Sequence, residues 1–368
     1  MQDGLKHAVG QFQIEGEMVE AQLFGSGHIN VSFVVTYEHE GQRSRYMLQR
    51  INHQVFKKPE QVMDNILRVT RHLRKHLIRH YKSNVSRKAL TVIPTRDGEA
   101  YCQDEHGAYW RSYIFIENTR TFDAAETPEQ AFEAAHAFGS FQRLMVDLPG
   151  PRLHETIPDF HNTPLRLQTL QKAVVADVAG RVETAKADIE FAMDHQELAS
   201  LLADLHQAGG LPERVIHNDT KFNNVLFDEV ADQAICIIDL DTVMPGLIHY
   251  DFGDMVRTAT SPAEEDEKDL DKVTMQLPMF RALVRGYLSA ANHFLTATEK
   301  AHLVNAGKVI IYEQGLRFLA DYLVGDFYYP AAYEGHNLIR GRAQFKLLQS
   351  LIEQEDAINK FMERILNP

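Results

Sequence analysis

The segment Val215-Ile216-His217-Asn218-Asp219-Thr220-Lys221-Phe222-Asn223-Asn224-Val225-Leu226-Phe227 decides how the rest of the chain is read. A histidine stands two before an aspartate, a lysine two after it and an asparagine five after it. An apolar strand then begins. A second apolar strand closes on an acid in Ile237-Ile238-Asp239-Leu240-Asp241, and the turn-like Asp228–Gln233 lies between the two. A hairpin of this kind would bring Asn224 and Asp239 toward one end.

This residue set suits phosphoryl transfer. One carboxylate must meet the attacking hydroxyl, a ligand pair must hold Mg²⁺ against the nucleotide phosphates, and a cation must steady the moving group. Asp219 fits the first role, Asn224 with Asp239 the second, and Lys221 the third. The protein-kinase loop H-R-D-x-x-x-x-N has the same His, Asp and Asn offsets. A polar turn would account for one Asp or Asn. It does not account for four residue types at these offsets followed by an acid-ended strand.

Three neighbouring features test that reading. Asp251-Phe252-Gly253 spells the kinase metal motif, but it lies 27 residues after Asn224 and follows Pro245–Tyr250, which reads as loop. Asp239 ends an apolar strand only 15 residues after Asn224 and takes the metal role, leaving Asp251 and Asp254 to brace the loop. Gly25-Ser26-Gly27-His28-Ile29-Asn30 lacks a third glycine and is followed by a strand, so a dinucleotide fingerprint fails. It reads as a hairpin turn, of the sort that can also fold over phosphates because absent side chains admit backbone N–H groups. Where kinases carry a phosphate-pairing lysine, Tyr46-Met47-Leu48-Gln49-Arg50 has none. Either Gln49 takes the position, able to hydrogen-bond phosphate but not to neutralise it, or Arg50 supplies the charge.

Outward from these motifs, strands are expected at Met18–Phe24, Val31–Tyr37, Arg45–Ile51, Thr91–Thr95, Gly98–Cys102 and Ala108–Ile116. A long helix is expected over Pro59–Tyr81, striped by Val62, Ile66, Val69, Leu73, Leu77 and Tyr81. Beyond the polar segment Glu117–Thr127, helices dominate. Thr127-Pro128-Glu129-Gln130 is a capping box opening one of them. Others are expected at Ile189–Ala208, Asp266–Ala291, Ala297–Gly325 and Arg342–Leu366. A short β-region at Arg214–Ile216, Val225–Phe227 and Ala234–Ile238 interrupts them. The division drawn is therefore 1–116 and 117–368.

Composition sets limits. The chain has 368 residues, enough for about two domains. Lys plus Arg number 38 and Asp plus Glu 51, a net charge of −13. An acidic chain is poorly suited to polyanionic nucleic acid or to anionic lipid. Cys102 and Cys236 are too few for a disulfide scaffold or a four-cysteine zinc site. No apolar run reaches a membrane span and the N-terminus has no signal-peptide core, so a cytoplasmic protein is expected.

Two clusters carry competing readings. His72, His76 and His80 share a helix face, as metal ligands would. Arg68, Arg71, Arg74, Lys75 and Arg79 surround them, which favours a solvated basic face. Arg317 and Asp321 stand four apart within Glu313–Tyr322, ahead of Phe327-Tyr328-Tyr329 and His336-Asn337-Leu338. They are either an i,i+4 ion pair or part of a pocket for sugar hydroxyls, and the two readings stand level.

With these residues in hand, the chain resembles the aminoglycoside phosphotransferase and choline kinase superfamily. Within it, the resemblance is closest to the bacterial N-acetylhexosamine 1-kinases. It runs nearly end to end, through Gly25–Asn30, Tyr113-Ile114-Phe115-Ile116-Glu117, the His217–Asn224 loop and Asp239-Leu240-Asp241-Thr242-Val243-Met244-Pro245-Gly246. It continues through Asp251-Phe252-Gly253-Asp254, Arg317–Leu323 and His336-Asn337-Leu338. The resemblance implies an α+β, bilobal protein-kinase-like fold: a small β-rich N-lobe with one long helix and a larger, mostly helical C-lobe. It implies ATP and Mg²⁺ as cofactors, with Asp219 as base and Asn224 and Asp239 as metal ligands. Gly25, Ser26, Gly27, His28, Gln49, Phe115 and Glu117 would line the nucleotide, and Asp241, Arg317, Asp321 and Tyr322 the sugar. The implied reaction phosphorylates the anomeric hydroxyl of an N-acetylhexosamine; the alternatives are the same chemistry on another alcohol (an aminoglycoside, homoserine or choline) and a non-catalytic nucleotide-binding regulator, which only the missing lysine at Gln49 supports. The protein is expected as a monomer or weak homodimer, with no nucleic-acid or membrane partner.

Overall fold

A computed structural model describes residues 2–25, 29–80 and 84–367. Two compact units emerge. The first comprises residues 1–120, 144–158 and 226–245; the second comprises 121–143, 159–225 and 246–368.

The first unit is built on an antiparallel sheet. Strands β1 (Glu17–Leu23), β2 (Val31–His39), β3 (Gln42–Ile51), β4 (Val92–Ile93), β5 (Cys102–Gln103) and β6 (Tyr109–Ile114) run in the order β1-β2-β3-β6-β4, with β5 also on β6. Glu40 and Gly41 both have positive φ, 49° and 76°, so β2 and β3 are joined by a two-residue turn that matches strand twist. That turn sets the register from His39 opposite Gln42 to Val31 opposite Arg50. Phe33, Val35, Tyr37, Leu48 and Trp110 pack on one face. Helix α1 (Gln2–Val9), absent from the sequence reading, contributes Ala8 to the same cluster, and Phe12 follows it there.

The long helix α2 (Pro59–His80) forms as its periodicity predicts, and Tyr81 lies outside the described residues. Val62, Ile66, Val69 and Leu73 are buried. Asn65, fully buried on the same helix, donates to the carbonyls of His154 and Val243 at 2.8 and 3.0 Å. Those bonds stitch both later segments to the unit. His72 departs from the expected solvated face: it is 7% exposed. The hairpin Val225–Asp228 and Ala234–Ile237 forms as read, and its first strand pairs with Thr119–Arg120.

The second unit is helical. Its centre is Leu303–Val324, apolar around nearly its whole circumference and therefore buried on most sides. The helices Thr163–Ala176, Ile248–Ala259 and His336–Glu353 pack against it. Several helices read as continuous are broken. Ile189–Ala208 divides into Lys186–Asp194 and Glu197–Gln207, and Arg342–Leu366 into His336–Glu353 and Glu355–Leu366. Ala297–Gly325 divides at His302, and its first piece is capped reciprocally by Thr296 and Glu299. The helix expected from Asp266 begins only at Leu277, where Pro278 suits a first turn. Thr163–Ala176 was missed, although Asn162 caps it and Pro164 opens it.

His249 is almost completely buried, and its Nε2 lies 3.0 Å from the Glu299 carbonyl. Its Nδ1 has no hydrogen-bond partner among the described residues. Burial lowers its pKa from 6.5 to about 4, ahead of the opposing pull of Glu299. The unfolded chain therefore takes up a proton below pH 6.5 that the folded chain refuses until about pH 4. Stability is lost as pH falls through that window, by up to about 3 kcal/mol from this group. Urea unfolding of His249→Gln at pH 7 and pH 4.5 is expected to show a shallower acid loss than the parent. Parallel curves would contradict it.

Candidate active site

The loop after strand Arg214–Ile216 is held from beneath by one carboxylate. Asp251, fully buried, accepts from the backbone N–H groups of His217 and Asn218 at 2.9 and 2.7 Å. Thr220 Oγ1 donates to the Asp251 carbonyl at 2.7 Å. Gln142 Nε2 donates to the Asp251 carboxylate at 2.7 Å, and Tyr287 OH donates to Gln142 Oε1 at 2.5 Å. Asn218 sits at φ 67°, a left-handed conformation immediately before Asp219. The His217 ring packs edge-on against Phe138 and Phe141, with centroids 5.4 and 6.1 Å away.

The Asp251-Phe252-Gly253 decoy resolves here. The three residues lie inside the helix Ile248–Ala259 rather than on a loop. A Cβ on Gly253 would fall 2.3 Å from the Ala306 carbonyl oxygen, so this glycine permits close approach of two helices. Asp251 braces the loop as expected. Asp254 is paired instead with Arg257, whose Nε lies 2.9 Å away.

At the head of the loop, Lys221 Nζ lies 3.0 Å from Asp219 Oδ1. Asn224 Nδ2 donates to the Asp219 carbonyl at 2.8 Å and to Oδ2 at 3.1 Å. Burial alone would raise the Asp219 pKa. The charge and hydrogen bond of Lys221, with smaller help from His217 and Arg257, outweigh burial and hold it below the usual carboxylate range. In turn, the Asp219 charge raises Lys221. The result is an ionised carboxylate at neutral pH, able to accept a hydroxyl hydrogen bond. Because Asn224 spends its amide N–H on Asp219, its remaining donor atom toward a cation is the carbonyl oxygen, a hard ligand suited to Mg²⁺.

Asp239 and Asp241 lie in the first unit. Asp239 follows the second hairpin strand at φ 58° and is exposed. Asp241 is buried, and Arg111 on β6 grips both its carboxylate oxygens. Asn30 Nδ2 reaches the same carboxylate at 2.5 Å, and Thr156 Oγ1 donates to the Asp241 carbonyl at 2.9 Å. Arg111 stands opposite Gln49 in the strand register and donates to its Oε1 at 3.0 Å. Gln49 Nε2 passes the bond on to Ser32 Oγ at 2.9 Å. Arg111 is the residue that sequence reasoning missed. Its signal was a lone arginine inside the apolar strand Tyr109-Trp110-Arg111-Ser112-Tyr113.

The other nominated residues are placed as follows. Gly25 lies two residues past β1 at φ 77°, whereas Ser26, Gly27 and His28 lie outside the described residues. Phe115 meets Phe24 edge-on at 5.7 Å, and Arg45 stacks over its ring at 4.4 Å. Glu117 forms an exposed ion pair with Arg45. In the second unit, the Arg317 guanidinium lies over the rings of Phe160 and Tyr329 at 5.6 and 5.5 Å. Glu313, buried beneath, accepts from Thr163 and pairs with His161, whose Nε2 also reaches the Asn218 carbonyl at 3.2 Å. Asp321 accepts from the N–H groups of Phe327, Tyr328 and Tyr329 and from Asn337, so its oxygens shape that turn. Tyr322 is buried with Arg181 stacked on its ring at 4.6 Å.

Comparison with known proteins agrees with this fold. The sequence model of the Phosphotransferase enzyme family matches residues 20–282. An aminoglycoside phosphotransferase from Alicyclobacillus acidocaldarius superposes with a TM-score of 0.60 at 12% identity, covering 96% of each chain. Spectinomycin phosphotransferase, solved with ADP and spectinomycin, superposes at 0.53 with 13% identity, over 92% of this chain and 94% of that one. Choline kinase from Cryptosporidium parvum superposes at 0.52 with 16% identity, over 95% and 93%. At such identities the likeness is one of fold, and the α+β kinase-like architecture is common to all.

Proposed function

Because the chain belongs to the phosphotransferase enzyme family, we propose that it moves the terminal phosphoryl group of ATP onto the anomeric hydroxyl of an N-acetylhexosamine. The products are ADP and the N-acetylhexosamine 1-phosphate. The observation that carries the chemistry is the Asp219 carboxylate, kept ionised by Lys221 on a loop anchored by Asp251.

Asp219 would accept a hydrogen bond from the anomeric hydroxyl, orient its lone pair at the γ-phosphorus and take its proton as the new P–O bond forms. Lys221 would neutralise charge gathering on the transferred group. Positioning and charge stabilisation supply most of the catalysis in such reactions. Asn224 and Asp239 offer oxygen donors that fit Mg²⁺, which when bound screens the phosphates and orients them. The nucleotide-holding residues are assigned to 1–116 and the adjoining Glu117, with Phe115 and Glu117 near the adenine, and acceptor recognition to the rest of 117–368.

The acceptor assignment rests on the resemblance of Asp239–Gly246 and the C-terminal segments to sugar kinases. The cationic, aromatic surroundings of Arg317 support it. Ring faces suit a sugar ring and a cationic amino alcohol alike, and it is the Arg317 guanidinium that disfavours the cation. Asp241 and Asp321, tied up by other groups, would act indirectly, each by holding the side chains and backbone around it, as would Tyr322.

The test is ADP release from Mg·ATP across free hexoses, N-acetylhexosamines, choline, homoserine and an aminoglycoside, with phosphorus NMR of the product. Turnover on an N-acetylhexosamine, with the product phosphorus coupled to the anomeric proton, is expected. Turnover on an amino alcohol with none on any sugar would overturn the acceptor assignment.

A further inference from the structure

Away from these residues, two imidazoles and a carboxylate converge in the first unit. His72 and His76 stand one turn apart on α2, with ring centroids 4.5 Å apart. Asp147 follows the helix Pro128–Met145. Its Oδ1 lies 3.1 Å from His72 Nε2 and 3.4 Å from His76 Nε2, and the three ligand atoms fall within 4.8 Å of one another.

We propose that His72, His76 and Asp147 form a binding site for a Zn²⁺-type transition-metal ion, separate from the Mg²⁺ ligands. Tetrahedral zinc with bonds of about 2.0–2.1 Å requires neighbouring ligand atoms roughly 3.3 Å apart. Both carboxylate–imidazole separations already meet that requirement. Imidazole nitrogen selects zinc, cobalt or nickel over Mg²⁺, which prefers oxygen. His72 is anchored by burial, His76 is half-buried and Asp147 is exposed, so the third ligand and a solvent molecule can close the shell from outside.

Without metal, His72 Nε2 is also 2.9 Å from the Leu144 carbonyl and donates to it. Binding requires that proton to move to Nδ1 as the tautomer changes, so the metal takes the place of the bond to the Leu144 carbonyl. The cations of α2 oppose a dication, but two are engaged elsewhere. Arg68 is bound to the Pro149 and Pro151 carbonyls, and Arg74 to Thr91 Oγ1 at 2.5 Å. Arg71, Lys75 and Arg79 remain exposed on the helix and lower the affinity without filling the site.

The test is calorimetric titration of Zn²⁺ into the full chain without nucleotide, with Co²⁺ absorption as a second probe. One ion per chain is expected, unaffected by millimolar Mg²⁺. His76→Ala and Asp147→Asn, both at accessible positions, are expected to weaken binding by about 10–100-fold or more, since losing even an outer-shell partner costs that much. Their metal-free circular dichroism and melting should match the parent. Absence of a one-site isotherm, or equal affinity in parent and both variants, would overturn the proposal.

Discussion

Asp219→Asn is expected to slow phosphoryl transfer by roughly 10²–10⁴-fold, the usual contribution of a positioned general base. The amide fills the same space and still receives the Asn224 N–H, but it cannot take a proton or carry the charge that Lys221 faces. The loop itself should hold, because its anchors are the Asp251 bonds to the backbone of His217 and Asn218. Losing the Asp219–Lys221 attraction costs little stability, since Lys221 is exposed and such pairs are worth about 1 kcal/mol or less. The measurement is ADP release per chain, beside the thermal shift induced by ATP. Lost turnover with an intact thermal shift is the predicted pair of results. Undiminished ADP release would remove Asp219 from the mechanism.

Arg111→Ala is expected to destabilise the chain by about 3–5 kcal/mol, because it strands a buried carboxylate. Arg111 and Asp241 are each 1% exposed. Asn30 alone cannot neutralise what the guanidinium leaves behind, and Gln49 Oε1 loses its donor as well. The double variant Arg111→Met with Asp241→Leu should recover most of the loss, since apolar groups of similar volume often replace a buried ion pair without penalty. Urea unfolding reads both. A single variant within 1 kcal/mol of the parent, or a double variant worse than the single, would show that the pair is not the lock described here. The same geometry accounts for Gln49. A lysine there would put a second cation against Arg111, whereas the glutamine accepts from the guanidinium and donates to Ser32.

What was legible in the sequence was chemistry confined to a short span. His217, Asp219, Lys221 and Asn224 could be read together because one loop carries them all. Helix α2 was legible because its stripe is long and regular. Arg111 was not, because its partner lies 130 residues away and strand register decides which side chains meet. The helix breaks at His195 and Gln354 were also hidden. Apolar periodicity runs on across them, and a tertiary contact such as Gln354 Nε2 to the Met275 carbonyl at 2.7 Å falls at the interruption. The capping box Thr296-Ala297-Thr298-Glu299 fixes the start at Ala297, where the helix is read to begin, and carries no signal of the break at His302. Asp251-Phe252-Gly253 lies within a helix rather than on a loop, and Gly253 answers to the close approach of the neighbouring helix.

The stitched composition of the first unit has a consequence for the birth of the protein. Its sheet comes from the first 120 residues, yet the carboxylate that neutralises Arg111 emerges 130 residues later. At about 5–20 residues per second, that is roughly 7–26 s of translation. Throughout that interval the nascent sheet carries a strand whose central cation has no counter-ion to be buried with. Closing over it would cost several kcal/mol of desolvation, so β6 must stay open to water until the second hairpin arrives. The ribosome therefore releases this unit last-piece-first in importance: twenty residues almost two-thirds of the way along the chain decide when its N-terminal third is allowed to fold.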